Sequence, residues 1–156
     1  MTSGATGPDH GGGLPVFVLP DAGEVLEIVG VTHKLTSRQS GGAIFVFESG
    51  FDPGAGNGLH IHHHEVELGY VLEGALEVRL GSASHILETG GLAYLPTNVP
   101  HALRNPLEVR SRYLFMAVPG GLERYFLAIA QAHNDGSLDD AVRMRLALDS
   151  GLEWLE

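Results

Sequence analysis

The chain contains no cysteine and carries far fewer basic than acidic residues. Without thiols it has neither a disulfide scaffold nor thiolate chemistry. Its 9 lysines and arginines stand against 19 aspartates and glutamates, which gives a formal net charge of -10 at pH 7. Such a charge repels phosphate backbones and anionic lipid surfaces, so neither nucleic acid nor a membrane is expected as a partner.

Long apolar runs are missing as well. No segment of the sequence is long enough to span a bilayer. Residues 1–13 have neither the basic end nor the apolar core of a secretory signal, so a cytoplasmic protein is expected. The same stretch is rich in Gly, Ser and Thr and lacks apolar periodicity, which predicts a disordered N-terminal tail.

What the sequence does contain is typical of one turn-rich β domain. Its 156 residues, 44% of them hydrophobic, suffice for a sizeable core, and 22 glycines suit many tight turns. Short apolar segments separated by turn residues predict roughly ten strands within residues 14–119. The longer predicted strands are residues 16–19, 24–31, 43–48, 68–72, 75–80, 84–87, 92–95 and 109–118.

Two local features add detail to this prediction. The strands at residues 68–72 and 75–80 flank Glu73 and Gly74, a pattern that predicts a hairpin. The polar stretch 33–42 ends in two glycines and is predicted to be a loop at the mouth of the domain.

The hydrophobic period changes after residue 119. Apolar residues then recur with helical spacing and predict an amphipathic helix that ends near Gly136. A second helix is predicted over residues 138–149, with Ser137 and Asp140 as a capping box. Residues 120–156 are therefore predicted to form a helical extension of two helices packed on the outside of the β domain.

The candidate functional site lies between Gly54 and Gly74. Residues two apart on a strand share a face, so His60 and His62 can aim two imidazoles at one point. A short bend would bring the carboxylate of Glu67 to the same point. Imidazole and carboxylate together suit divalent transition metals.

A second stretch, residues 90–105, completes a recognisable pair. The two stretches resemble the two motifs of the cupin superfamily. The pattern G-x5-H-x-H-x4-E-x6-G is matched at every position, by Gly54, His60, His62, Glu67 and Gly74. The pattern G-x5-P-x-G-x2-H-x3-N is matched by Gly90, Pro96, His101 and Asn105. Asn98 replaces the middle glycine, and asparagine tolerates a left-handed backbone better than other non-glycine residues.

The resemblance implies an all-β fold, a single cupin jelly-roll barrel over residues 14–119. It also implies one divalent transition metal per chain, Fe, Mn, Ni, Co, Cu or Zn, held by His60, His62, Glu67 and His101. Cupins commonly assemble as dimers, so a homodimer is expected. The sequence leaves the identity of the metal open.

The segment from Pro119 to Arg124 is similar to the quercetinase-like group of cupins. That similarity implies a dioxygenase acting on an enolisable aromatic, flavonol or polyketide-like small molecule. Glu67 would be the catalytic residue and would deprotonate a substrate hydroxyl. Two alternatives stay open: a non-redox isomerase or polyketide cyclase with the same ligands, and a non-enzymatic cupin that binds small molecules.

Five residues are predicted to line the substrate pocket: Phe45, Phe47, Gly69, Val71 and Leu103. For the phenylalanines the alternative is plain core packing, and for the glycine it is a β-bulge or a close backbone approach.

Other histidines and arginines are expected to lie outside the site. His33 is expected at the surface, with a role beside the ligands or substrate as the alternative. His63 and His64 are expected to be exposed or to support the ligands. Three arginines, Arg104, Arg110 and Arg112, are expected to be solvated, although a clamp for a substrate anion is the alternative.

Overall fold

A computed structural model of the chain describes residues 15–155, so the tail predicted for residues 1–13 lies outside the described residues. The described part contains strands β1 Glu24–Leu26, β2 Val31–Leu35, β3 Phe45–Phe51, β4 His60–His62, β5 Val66–Glu73, β6 Ala75–Leu80, β7 Ala83–Glu88, β8 Leu92–Leu95, β9 Ala102–Arg104, β10 Ser111–Val118 and β11 Leu152–Trp154. It also contains helices α1 Glu123–Asn134 and α2 Asp140–Asp149, and a short 3-10 helix, Glu27–Val29.

The strands form antiparallel sheets in a jelly-roll-like arrangement. The largest sheet has six strands in the order β1-β2-β3-β10-β5-β8, and a second has the order β7-β6-β9. A third sheet contains only β4 and β11. The predicted all-β fold with two C-terminal helices is therefore confirmed.

The core lies between the inner faces of the two larger sheets. Alternate residues of β3, β5 and β10 point inward, as the two-residue period requires, and meet the inward residues of β6 and β9. Phe47 stacks on Phe115 with ring centroids 5.4 Å apart, and Phe45 stacks on Phe47 at 5.0 Å. This aromatic row occupies the interior next to the functional site.

The segment around Glu73 and Gly74 differs from the predicted hairpin. β5 pairs with β10 and β8, whereas β6 pairs with β7 and β9, so the chain crosses here from one sheet to the other. Gly74 has φ +82°, and a Cβ at this position would lie 2.2 Å from the Ser111 hydroxyl oxygen. The glycine is required by this close crossing rather than by a hairpin turn.

The N-terminal part of the domain also differs from the prediction. Residues 16–19 are not a strand, and Phe17 is 90% exposed there. The strand predicted for residues 24–31 is divided by the 3-10 helix, which ends at Gly30 in a left-handed conformation. Part of the predicted loop 33–42 belongs to β2, because that strand pairs with β3 as far as Leu35.

The C-terminal region contains the two expected helices and one unexpected strand. The cap of α2 is Asp139, whose side chain accepts a hydrogen bond from the Val142 amide at 2.7 Å, so the predicted Ser137–Asp140 box is wrong. Beyond α2, β11 pairs with β4, the strand that carries His60 and His62. Within residues 15–155, neither helix is long and apolar enough to cross a membrane.

Candidate metal centre

Four buried side chains from three parts of the chain meet inside the domain. His60 and His62 lie on β4, Glu67 on β5, and His101 immediately before β9. One ligand atom from each lies within 4.8 Å of the other three. The Glu67 carboxylate is 3.2 Å from Nε2 of His101 and 3.7 Å from Nε2 of His62. The backbone fixes this convergence, because His60 and His101 exchange amide hydrogen bonds of 2.9 and 3.0 Å.

Backbone carbonyls orient two of the imidazoles. Nδ1 of His60 lies 2.9 Å from the Gly58 carbonyl oxygen, and Nδ1 of His101 lies 2.9 Å from that of Val99. A carbonyl oxygen only accepts, so each Nδ1 carries a proton and Nε2 is the ring atom left to face a cation. Both Nε2 atoms are therefore prepared to bind a cation.

His62 faces a buried carboxylate that the motif does not include. Oε2 of Glu65 lies 3.8 Å from Nδ1 of His62, and only 1% of the Glu65 surface is exposed. A carboxylate behind a ligand histidine fixes the ring and increases its basicity. Glu65 is thus a supporting residue that the sequence analysis missed; its spacing of three from His62 was the available signal.

The electrostatics of the four residues favour a cation among them. Burial lowers the pKa of His60 to about 4, so this ring is neutral at pH 7. Burial also acts to lower the pKa of His62, but Glu67 and Glu65 outweigh it and raise that pKa. Burial acts to raise the pKa of Glu67, yet His62 and the hydrogen bond from His101 lower it overall. A divalent ion would bring the positive charge that the carboxylates of Glu67 and Glu65 attract at this point.

The donor set fits a metal ion. Donor atoms bonded at about 2.1 Å to one ion lie at most about 4.2 Å apart, so shifts of a few tenths of an ångström would close the four donors around it. Three imidazoles and one carboxylate suit Fe, Mn, Co, Ni, Cu and Zn rather than Ca or Mg. The group can therefore hold one metal ion, whose identity the ligands leave open.

The group of four residues lies beside a cavity of about 500 Å³. Three of them, His60, His62 and Glu67, are in its wall. Most of the remaining wall is apolar or aromatic, which is typical of sites for small organic molecules. The apolar lining consists of Ile28, Val29, Val31, Phe47, Phe51, Leu103, Phe115, Leu122, Tyr125, Phe126, Met144, Leu152 and Trp154.

Comparison with known proteins agrees with this geometry. Residues 47–117 match the family described as Cupin domain. The chain has a cupin fold. Among solved structures, an RmlC-like cupin from Shewanella frigidimarina is 20% identical with a TM-score of 0.57, over 69% of this chain and 93% of that one. KdgF from Halomonas sp. is 25% identical with a TM-score of 0.55, over 67% and 94%.

One curated relative shares a shorter stretch with this chain. Protein SchB of Streptomyces halstedii is 37% identical over 67 residues, which is 43% of this chain and 49% of SchB. The chain thus spans about half the length of that relative. None of these matches identifies the quercetinase-like subgroup, which stays a prediction.

The cavity beside the four residues contains only part of the predicted pocket. Phe47 and Leu103 are in its wall. Phe45, Gly69 and Val71 are not: they are buried in the core behind it. At Gly69 an added Cβ would lie 2.9 Å from Cε1 of Phe115, so this glycine admits the phenylalanine ring instead of widening the cavity.

The three extra histidines have different surroundings, and His64 is exposed as expected. His33 is 3% exposed and packs edge-on against Phe45 at 4.9 Å, so the expected surface position is wrong. Side chains alternate between the two faces along β2, and that of His33 points inward. His63 is exposed and bridges Asn98 at 2.7 Å and Glu153 at 2.8 Å. It connects the second motif to β11.

Two further residues follow the second motif's expectations. Asn98 has φ +63°, the left-handed conformation expected where the motif has glycine. Asn105 is fully buried, and its amide nitrogen donates to the carbonyl oxygens of Phe51, Asp52 and Val109. It holds together the loops beneath the site and does not contribute a ligand.

Proposed function

We propose that the protein is a metal-dependent dioxygenase that acts on an enolisable aromatic, flavonol or polyketide-like small molecule. The observation that carries the proposal is the position of three imidazoles and one carboxylate at the edge of a largely apolar cavity. A structural metal site is usually closed by four protein ligands and often contains thiolates. Here an adjoining cavity lets a small molecule reach the donors.

His60, His62 and His101 would hold the ion through their Nε2 atoms, with Glu67 as the oxygen donor. Once bound, the ion would act as a Lewis acid and, if redox-active, would pass electrons between an organic substrate and dioxygen.

In this proposal Glu67 is also the base that removes a proton from the substrate. Its pKa lies below the ordinary value, so the carboxylate is ionised at neutral pH and can accept a proton. It is in the cavity wall, where a hydroxyl of a bound substrate can come within hydrogen-bonding distance. Removing that proton makes the substrate an electron-rich enolate, the form that reacts with dioxygen.

The aromatic wall supports binding of a planar substrate. Phe47, Phe115 and Phe126 offer ring faces and edges to a flat aromatic molecule, which would exclude water once packed against them. Excluding water strengthens the electrostatic interactions of Glu67 and protects a reactive enolate from protonation.

Elemental analysis of natively purified protein, followed by oxygen-electrode screening of flavonols and polyketide-type phenols, tests the proposal. We expect a redox-active ion and oxygen uptake that falls by at least about a hundredfold in Glu67→Gln. Glu153→Gln on β11 is the matched control and should keep its activity. Turnover without oxygen uptake in a zinc-containing protein would refute the dioxygenase and support an isomerase or cyclase. Ligand binding unchanged in Glu67→Gln and His101→Ala, with no turnover in the parent, would indicate a binding protein.

We also propose that the protein is a homodimer. The outer face of the six-stranded sheet carries an apolar row that the strand register places side by side: Val46, Met116, Leu68 and Tyr94. Tyr94 is 62% exposed. A two-fold axis would bring two such faces together, since the same patch then serves both partners.

Light scattering tests the dimer. Tyr94→Glu should give a monomer, whereas Ile86→Glu, an equally exposed position on β7 of the other sheet, should leave the dimer intact. A monomeric parent protein at tens of micromolar would refute this part of the proposal. The cytoplasmic location expected from the sequence stays a prediction.

A further inference from the structure

The C-terminal extension provides a large part of the cavity wall. The wall residues that it contributes come from α1, α2, β11 and the turn before α1. All of them lie outside residues 47–117, which match the cupin domain. The pairing of β11 with β4 holds the extension against the strand that carries His60 and His62. The extension contributes Leu122, Tyr125, Phe126, Arg143, Met144, Leu152 and Trp154.

Arg143 is the one lysine or arginine among the residues that line this cavity. It is half-buried on α2, and within residues 15–155 its guanidinium has no hydrogen bond or ion pair. Arg104, Arg110 and Arg112 differ, since each pairs with a carboxylate on the surface: Glu77, Asp52 and Glu48 respectively. Among the arginines of residues 15–155 that have no carboxylate partner, Arg143 is the one that lines the cavity.

A second donor in the same wall also lacks an acceptor. Nε1 of Trp154 is buried and has no hydrogen-bond partner within the described residues. The indole N–H only donates, and burying an unpaired donor costs free energy. The guanidinium of Arg143, without an acceptor in the wall of an apolar cavity, is best explained by a ligand that brings one.

We propose that Arg143 binds a carboxylate of the substrate, so that the natural substrate is an aromatic or polyketide-like carboxylic acid. This inference rests on the proposed function in one respect, namely that this cavity is the substrate site. A guanidinium and a carboxylate form two parallel charge-assisted hydrogen bonds, which fixes the direction of the bound molecule as well as its affinity. The carboxylate end lies at Arg143 of the extension, and the reacting end lies at Glu67.

Calorimetric titration with 2-naphthoate and its neutral amide, 2-naphthamide, tests the proposal. We expect the parent protein to prefer the acid by about tenfold to a hundredfold, the usual range for a charge-assisted pair. Arg143→Gln should bind both probes equally, and Arg143→Lys should keep part of the preference because lysine loses the bidentate geometry. Arg145→Gln is the matched control, because Arg145 is on the same helix but exposed and outside the cavity wall.

The position of the probe is checked by fluorescence. Trp154 is the only tryptophan in the chain, so a change in its emission on titration reports binding in this cavity. A carboxylate can also bind a metal ion directly, and the titrations are therefore repeated after chelation. A preference for the acid that disappears on chelation but survives in Arg143→Gln would overturn the proposal. So would a parent protein without any preference.

These outcomes are independent of turnover. Oxygen uptake on neutral phenols, with no effect of Arg143→Gln on the binding of either probe, would leave the dioxygenase intact and refute the role of Arg143. An acid preference that depends on Arg143, in a protein without oxygen uptake, would support the role of Arg143 and refute the dioxygenase.

Discussion

Replacing Glu65 by glutamine should weaken metal binding without disturbing the fold. The substitution keeps the size of the side chain and removes only the charge behind His62. The ring of His62 also faces the Glu67 carboxylate at 3.7 Å, so it keeps one orienting partner when Glu65 is changed. The effect should therefore appear in the affinity for the ion and not in the secondary structure.

The distance between Glu65 and His62 sets how much metal-binding free energy the substitution should remove. Two full charges 3.8 Å apart attract by about 4 kcal/mol at an effective dielectric constant of about 20. An imidazole bound to a metal ion carries only part of a unit charge, so we expect roughly 1.5–3 kcal/mol to be lost. This corresponds to about tenfold to a hundredfold weaker binding, the range typical for residues that support metal ligands.

Competition between the protein and a chromogenic chelator for zinc or cobalt measures the affinity. Glu153→Gln is the control, because it makes the same chemical change on the neighbouring strand. Glu153 pairs at 2.8 Å with His63, which is not a ligand. Parent and control should compete alike, while Glu65→Gln should release the ion at lower chelator concentration. Equal affinities in all three proteins would refute the idea that Glu65 acts on the ion through His62.

Three further predictions follow from the same contacts. His62→Ala should lose tight metal binding but keep the circular dichroism of a β protein, because the core does not depend on the ion; an unfolded spectrum would contradict this. Gly69→Ala should lower the free energy of urea unfolding by about 1–3 kcal/mol, because the new Cβ would lie 2.9 Å from the Phe115 ring; unchanged stability would show that the ring yields freely. Chelated protein should lose roughly 3 kcal/mol more stability than His60→Gln as pH falls from 6.5 towards 4, because the unfolded chain protonates this histidine near 6.5 and the folded protein only at about 4. Identical pH profiles would refute this last prediction.

The ligand residues were accessible from the sequence because their geometry is mostly local. His60 and His62 share a strand face through the two-residue period, and Glu67 follows after a short bend. Only His101 is distant in sequence, and the second motif identified it. The helices were predicted for a similar reason, since the 3.6-residue period of α1 lies within one segment.

The errors concern which strand lies beside which. A glycine turn at Gly74 predicts a reversal of the chain but does not reveal whether the next strand joins the same sheet. The inward direction of His33 likewise depends on the pairing of β2 with β3. Phe45 and Val71 point to the same side of the sheet as the residues of the cavity wall. They belong to the core only because they lie deeper in the domain, which the sequence does not reveal.

The extension illustrates the same limit where it matters most for function. β11 has three residues, too few for any period, and its partner β4 is some 90 positions earlier in the chain. Arg143 follows helical spacing like any other residue of α2, so nothing local distinguishes it from Arg145 on the same helix. The distinction arises when β11 pairs with β4 and brings α2 against the cavity. The residues that could bind an ion are thus encoded mostly locally, whereas those that would select the substrate depend on a long-range pairing. It follows that Arg143 should lose its effect on probe selectivity in any variant that separates β11 from β4, even with all four ligands intact.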